Sequence, residues 1–207
     1  MPDAISDPST NSALPVPTHL RAAAALRGQC VIVLVGLMGV GKTTVGKALA
    51  AQLNMPFRDA DSQIEEAAGL SISEIFAQHG EQEFRRGERR VLHRLLTAEA
   101  PHVLATGGGA FIDPDTRALI QSTAVSVWLK ADIDSLVKRV SRKNTRPLLR
   151  QGDPKEILTR LCHERAAFYA LADIHAESSN GAVTDTVKRV LDGIHTLAIA
   201  PDKGPSA

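Results

Sequence analysis

The stretch from Val31 to Leu53 limits the possible folds more than any other. Five apolar residues, Val31 to Val35, run directly into the pattern G-x-x-x-x-G-K-T at residues 36–43. An apolar, mostly β-branched run is typical of a parallel strand that helices cover on both faces. The glycines allow a tight turn whose N–H groups face an anion, and a helix from Lys42 would add its positive end. The stretch therefore predicts a strand, a phosphate-binding loop and a helix.

The loop also predicts individual contacts with a nucleoside triphosphate. The backbone of Gly39, Val40 and Gly41 would cradle the phosphates. Lys42 would reach the β- and γ-phosphates, and the Thr43 hydroxyl would coordinate Mg²⁺. A chance match in a glycine-containing turn is the alternative, but strand, loop and helix occur in the order that the motif needs. We therefore expect a bound triphosphate and Mg²⁺.

Composition excludes several classes of protein. The chain has 207 residues, enough for one domain, and its 24 Lys and Arg nearly balance its 23 Asp and Glu. No overall charge favours nucleic acid or an anionic membrane, and no apolar run approaches the ~20 residues of a membrane span. Cys30 and Cys162 lack metal-site spacing, so we expect both to be buried and reduced. We expect a soluble, cytoplasmic monomer without a nucleic-acid or membrane partner.

Alternating strands and helices predict an α/β domain over residues 29–198. Its strands are expected at 31–35, 56–61, 103–106, 124–129 and 174–176. Such alternation favours a parallel sheet flanked by helices, with ligands at the carboxyl ends of the strands. Residues 1–28 are rich in Pro, Ser and Thr and predict a flexible extension, although its Ala content allows a short helix over 20–27. Residues 199–207 are expected to form a tail.

The metal-side carboxylate is not where many phosphate-binding loops place it. The third strand ends in Thr106 and three glycines rather than in Asp. Asp59 or Asp61, at the end of the second strand, must serve instead. The alternative is that an Asp caps the following helix, and Asp61 would suit a helix starting near Ser62.

Three further segments carry candidate contacts, each with an ordinary alternative. Gly107-Gly108-Gly109 suggests close approach of a ligand to the backbone, or else a flexible turn. Arg85 and Arg86, among Glu81, Glu83 and Glu88, would normally indicate a solvated, salt-bridged helix face. The basic segment 138–150 fits a solvated loop, a nucleic-acid patch or a lid that clamps a triphosphate; it has no aromatic residues for base stacking.

These motifs together resemble the shikimate kinase family. The matching stretches are GLMGVGKTT, Asp59 to Asp61, GEQEFRR from Gly80, GGGA from Gly107 and RPLL from Arg146. The resemblance covers about residues 31–197. It implies a P-loop fold like that of nucleoside monophosphate kinases, with a five-stranded parallel sheet and a lid at about residues 142–153. It also implies transfer of the ATP γ-phosphate to the 3-hydroxyl of shikimate, in the pathway to chorismate and the aromatic amino acids.

The resemblance also implies roles for single residues. On the acceptor side, Asp61 would bind the substrate hydroxyls, Arg85 and Arg165 the carboxylate, and Gly108 and Gly109 would present N–H groups. On the nucleotide side, the implied contacts are Thr44 beside Thr43, Asp59 on Mg²⁺ through water, Arg139 on adenine and the lid residue Arg146 on phosphate. We expect Lys42, Asp61 and Arg146 to be the catalytic residues.

Two other functions remain open from the sequence. One is a related small-molecule P-loop kinase, such as a gluconate-type enzyme. The other is a regulatory module that binds nucleotide without catalysis. The presence of Lys42, Thr43, Asp61, Arg85 and Arg146 together favours an active kinase over such a module.

Overall fold

A computed structural model describes residues 16–141, 152–178 and 181–200. Its sheet has five parallel strands in the order β2-β3-β1-β4-β5. The strands are β1 Val31–Val35, β2 Phe57–Asp59, β3 Val103–Ala105, β4 Ala124–Lys130 and β5 Ile174–Glu177. The predicted five-stranded parallel sheet is confirmed, with β1 in its centre.

Eight helices connect and flank the strands in the described part of the chain. They are α1 Thr18–Leu26, α2 Lys42–Gln52, α3 Ala60–Ala68, α4 Ile72–Thr97, α5 Pro114–Thr123, α6 Ile133–Val140, α7 Pro154–Tyr169 and α8 Val183–Ile199. Gly80, at φ 77° and ψ 175°, breaks α4 into two helical segments. No helix among these residues is long and apolar enough to cross a membrane.

The buried centre of the sheet places the phosphate-binding loop. All five residues of β1 are buried, because β3 and β4 pair with its two edges and helices cover its faces. The chain must then leave the sheet at Val35, where Gly36 turns it with φ 133°. A Cβ on Gly36 would lie 2.6 Å from the Leu129 carbonyl oxygen, so only glycine fits here. The loop thus sits at the carboxyl end of the central strand.

The folded region begins earlier than the sequence predicts. Helix α1 lies within the segment expected to be flexible, but it packs against α8 and buries Ala22 and Ala25 completely. Arg21 is 6% exposed and its Nε donates a 3.0 Å hydrogen bond to the carbonyl of Ala124. The expected short helix is therefore present, and its alanine face allows close packing that composition alone did not reveal. Residues 1–15 and 201–207 lie outside the described residues.

The two cysteines differ from one another. Both are free thiols, but only Cys30 is buried as predicted, whereas Cys162 is half-buried. Burial raises the pKa of the Cys30 thiol, and the nearby Arg21 guanidinium opposes that shift. The expectation that both are buried is wrong for Cys162, because it lies on a partly exposed side of α7.

Candidate active site

A cavity of about 380 Å³ lies at the carboxyl ends of the strands. It brings together nine of the predicted site residues, namely Gly39, Gly41, Lys42, Thr43, Thr44, Asp59, Asp61, Gly108 and Arg139. Four other predicted site residues are described by the structure but do not line the cavity, namely Val40, Arg85, Gly109 and Arg165. Arg146 and the rest of the predicted lid from 142 to 151 lie outside the described residues.

The loop between β1 and α2 has the geometry that a phosphate cradle needs. Gly39 and Gly41 have φ of 80° and 102°, values that favour glycine. A Cβ on Gly39 would also lie 2.7 Å from Val140 Cγ1. The Lys42 ammonium donates to the carbonyls of Gly36 and Leu37 at 2.8 and 3.0 Å, so it lies over the loop. The positive end of α2 and the Lys42 charge therefore act on the same anion site.

Asp59 is the carboxylate closest to the predicted metal ligand. Thr43 Oγ1 donates to Asp59 Oδ2 at 2.9 Å, and Asp59 Oδ1 accepts from the Asp61 backbone N–H at 3.2 Å. Asp59 is thus the N-cap of α3. The alternative that Asp61 caps this helix is wrong, because the helix begins at Ala60, two residues before the predicted start near Ser62. Asp61 instead lies in the first turn and lines the cavity.

The oxygen donors at Thr43 and Asp59 suit Mg²⁺. Mg²⁺ prefers oxygen ligands and usually binds through one or two carboxylates together with substrate phosphates. No group of three or more His, Cys, Asp or Glu side chains that could hold a metal ion exists among the described residues. A metal at this site would therefore depend on phosphate oxygens as well as on the protein.

The three glycines after β3 allow charged side chains to approach their backbone. A Cβ on Gly109 would lie 2.7 Å from Arg85 Nη1. One on Gly107 would lie 3.0 Å from Glu88 Oε1 and 3.1 Å from Asp61 Oδ1. The arginine and both carboxylates thus meet at the glycine segment, which explains why it needs more than one glycine.

Glu88 is a residue of this site that the sequence analysis did not assign. Its carboxylate accepts a 2.7 Å hydrogen bond from Arg85 Nη1 and is 4% exposed, whereas Glu81, at 3.2 Å from Arg85 Nη2, is exposed. Burial raises the pKa of Glu88, and its bond to Arg85 opposes that shift. Two features could have indicated this role from the sequence. Glu88 follows Arg85 by three residues, and it lies one helical turn before Val91 and Leu92, which are buried.

Arg165 reaches the same segment from α7. Its Nη1 donates to the Gly108 carbonyl at 3.1 Å, and the Tyr169 hydroxyl donates to that same oxygen. Arg85 and Arg165 therefore flank two consecutive glycines from different helices. The sequence analysis assigned no role to Tyr169.

Arg139 lies at the other end of the cavity. Its Nη1 donates to the Val40 carbonyl at 3.1 Å and its Nη2 to the Ser178 carbonyl at 3.3 Å. The buried Ser178 hydroxyl also donates to the Val40 carbonyl, at 2.7 Å. Val40 is 1% exposed, so only its backbone belongs to the site. Ser178 and Gly181 also line the cavity here, and the sequence analysis assigned neither.

A phosphate-binding loop on the central strand of this sheet, beside a glycine segment that two arginines approach, is the arrangement of a small-molecule P-loop kinase. A family model described as shikimate kinase matches residues 38–195. A shikimate kinase of Caulobacter vibrioides is 58% identical over 163 residues, 79% of this chain and 81% of that relative. One from Novosphingobium aromaticivorans is 55% identical over 166 residues, 79% of this chain and 86% of that relative. The chain belongs to the shikimate kinase family.

Solved structures agree with this assignment. The structure of shikimate kinase from Acinetobacter baumannii in complex with shikimate has a TM-score of 0.79 and 35% identity, and covers 86% of this chain and 99% of its own. The structure of shikimate kinase from Aquifex aeolicus has a TM-score of 0.71 and 33% identity, and the match covers 81% of this chain and 98% of that one. A gluconokinase from Sinorhizobium meliloti is only 18% identical, with a TM-score of 0.56, and the match covers 83% of this chain and 95% of that one. That last likeness concerns the fold alone.

Proposed function

We propose that this chain transfers the γ-phosphate of ATP to the 3-hydroxyl of shikimate, giving shikimate 3-phosphate and ADP. One observation carries the proposal beyond family membership. Arg85 and Arg165 flank the consecutive glycines 108 and 109, beside the phosphate-binding loop. Two guanidinium groups that face one segment suit a carboxylate, which accepts hydrogen bonds on both of its oxygens.

Asp61 completes the acceptor set. It lines the cavity next to the glycine segment, whereas the two arginines lie outside the cavity lining. An acceptor with one fixed anion and several hydroxyls would place its carboxylate between the arginines and a hydroxyl near Asp61. Asp61 would orient that hydroxyl toward the γ-phosphate and take its proton late in the reaction. A carboxylated polyol satisfies all three side chains.

Positioning and charge neutralisation supply most of the catalysis. Phosphoryl transfer passes through a loose transition state, so the protein has little covalent chemistry to perform. Lys42 would neutralise the β- and γ-phosphates, with the loop backbone, Thr44 and Arg146 as further phosphate contacts, and Arg139 would pack on adenine. Thr43 would bind Mg²⁺ directly and Asp59 through water; the ion would neutralise charge on the phosphates when bound.

A coupled ADP-release assay with shikimate, quinate, gluconate and AMP tests the proposal. We expect turnover with shikimate and Mg²⁺, and none in a Lys42→Met variant that remains folded. Brisk turnover with gluconate or AMP and none with shikimate would refute it in favour of a related kinase. ATP binding without turnover on any acceptor would indicate a regulatory module. A cytoplasmic location and a monomeric state stay predictions, the latter for sedimentation analysis.

A further inference from the structure

Tyr169 contacts the acceptor side of the site although it lies at the end of a helix. It is the only tyrosine of the chain, and its side chain is 2% exposed. Its hydroxyl donates to the Gly108 carbonyl, the oxygen that also accepts from Arg165 Nη1 at 3.1 Å. The two donors are four residues apart on α7, so one face of the helix presents both to a single oxygen.

Two donors on one carbonyl fix a peptide that would otherwise be free to rotate. Glycine has the widest backbone freedom of any residue, and Gly108 and Gly109 are adjacent. A trans peptide is planar, with its C=O and N–H directed to opposite sides. Holding the Gly108 oxygen therefore also sets the direction of the Gly109 N–H. Within the described ranges, neither Gly108 nor Gly109 donates its N–H in a hydrogen bond, so these groups can serve a ligand.

We propose that Tyr169 is a positioning residue for the phosphoryl acceptor. Its hydroxyl sets the Gly108–Gly109 peptide and, through the shared oxygen, the guanidinium of Arg165. The guanidinium has five N–H donors, so one bond to Gly108 leaves others to meet a carboxylate. The role of an acceptor carboxylate rests on the proposed function, whereas the effect of Tyr169 on the peptide does not.

The surroundings keep the Tyr169 hydroxyl in place and protonated. The Tyr169 ring lies against Trp128, with ring centroids 5.8 Å apart. Trp128 in turn lies beside the phosphate-binding loop, since its Cδ1 would be 3.4 Å from a Cβ placed on Gly36. Burial raises the pKa of Tyr169, although the Arg165 charge opposes this. The hydroxyl therefore remains a donor at neutral pH. A Cβ on Gly108 would lie 3.6 Å from the Gly36 carbonyl, so the peptide it holds also borders the phosphate-binding loop.

Tyr169→Phe separates positioning from packing, because it keeps the ring against Trp128 and removes only the hydroxyl. In the ligand-free chain, we expect faster amide hydrogen exchange over residues 107–110. In steady-state kinetics, we expect the KM for shikimate to rise about three- to tenfold, as for the loss of one hydrogen bond. The kcat and the KM for ATP should stay within about twofold, since the phosphate-binding loop keeps its contacts.

Ser126→Ala is the matched control. Its hydroxyl is fully buried and donates at 2.6 Å to Asp173, at the amino end of β5 and away from the cavity. This variant should melt at a lower temperature without changing exchange over residues 107–110 or either KM.

The outcomes separate this inference from the proposed function. An unchanged KM for shikimate in Tyr169→Phe would overturn it, as would equal losses for shikimate and ATP that match those of Ser126→Ala. If the wild-type chain does not phosphorylate shikimate, the proposed function falls and amide exchange alone decides. Unchanged exchange over residues 107–110 in Tyr169→Phe would then refute the positioning role, and faster exchange would support it.

Discussion

Thr43 Oγ1 donates a 2.9 Å hydrogen bond to Asp59 Oδ2 and thereby joins the first turn of α2 to the end of β2. The other oxygen of Asp59 caps α3 through the backbone N–H of Asp61. One carboxylate therefore contacts the predicted Mg²⁺ ligand and also fixes the helix turn that carries Asp61, the predicted acceptor ligand. The predicted metal-binding and acceptor-binding residues are linked through Asp59.

Asp59→Asn should separate these two roles. Asn caps helices about as well as Asp, so the free energy of unfolding should change by less than about 1 kcal/mol. Loss of the negative charge should raise the Mg²⁺ concentration for half-maximal activity roughly tenfold or more, as for other residues that support metal ligands. Asp132→Asn, at the N-cap of α6, is the control and should leave Mg²⁺ dependence unchanged. Equal Mg²⁺ dependence in both variants would exclude Asp59 from the metal site.

Arg85→Ala should weaken shikimate binding far more than Arg86→Ala. Both arginines lie on α4, but Arg85 faces Glu88 and Gly109, whereas the Arg86 side chain is 64% exposed and pairs with Glu83 at 3.4 Å. Without Arg85, the desolvated carboxylate of bound shikimate would lose a partner, which costs about 2–5 kcal/mol and lowers the affinity tenfold or more. Calorimetric titration with shikimate and with ATP would measure both. A loss of ATP affinity instead, with shikimate unaffected, would contradict the placement of Arg85.

Glu88→Gln should change how stability depends on pH. Because burial raises the pKa of Glu88, the folded chain keeps this proton to higher pH than the unfolded chain does. The free energy of unfolding therefore falls as pH rises from the usual glutamate value of about 4.3 through the folded-state value. In Glu88→Gln, the free energy of unfolding should fall less steeply with pH, the difference being at most about 1.4 kcal/mol per pH unit. Urea unfolding measured across pH tests this. Glu81→Gln, at an exposed partner of Arg85, should leave the curve unchanged.

His102 should make the free energy of unfolding depend on pH in the opposite direction to Glu88. It is 1% exposed, its Nδ1 lies 2.9 Å from the Ala100 carbonyl, and its Nε2 has no partner among the described residues. Burial lowers the pKa of His102, so the unfolded chain gains a proton near pH 6.5 and the folded chain only below that. The free energy of unfolding therefore falls as pH drops through this window.

His102→Asn should flatten that fall, because Asn keeps a donor for the Ala100 carbonyl and does not titrate. Urea unfolding between about pH 5 and 7 measures the slope, whose limit is about 1.4 kcal/mol per pH unit. His79→Asn, at an exposed histidine, is the control. An unchanged slope in His102→Asn would show that another group causes the acid sensitivity.

Arg21→Ala should destabilise the chain without slowing turnover. Arg21 is buried, contacts Ala124 and Thr18, and lies 4.0 Å from Asp173. Ala124 and Asp173 lie at the amino ends of β4 and β5, whereas the phosphate-binding loop lies at the carboxyl end of β1. Removing one partner of such a buried set costs roughly 3 kcal/mol. Arg27→Ala, at an exposed arginine just after the same helix, should cost less than about 0.5 kcal/mol. Equal melting temperatures for the two variants would mean that α1 does not stabilise the domain.

The order of elements and the chemistry of the loop were readable from the sequence. A strand of five buried residues, the glycines at 36, 39 and 41, and Lys42 are local features, because strand burial, tight turns and helix starts each depend on neighbouring residues. The five strands were predicted for the same reason. The roles predicted for Asp61, Arg85, Gly108, Gly109 and Arg165 came from the family resemblance, which rests on the order of motifs along the chain.

Only the tertiary structure decided which groups meet. It made Asp59 the N-cap of α3 and left Asp61 in the cavity, since the helix begins two residues before the predicted start near Ser62. It buried Glu88 against Arg85, and it brought Tyr169 to Gly108 across 61 residues of chain. Spacing along a helix predicts neighbours three or four residues away, whereas burial and contacts between distant segments depend on how helices pack on the sheet. The conformation of the phosphate-binding loop therefore follows from its own residues, whereas the contacts of the predicted acceptor pocket follow from the packing of helices on the sheet.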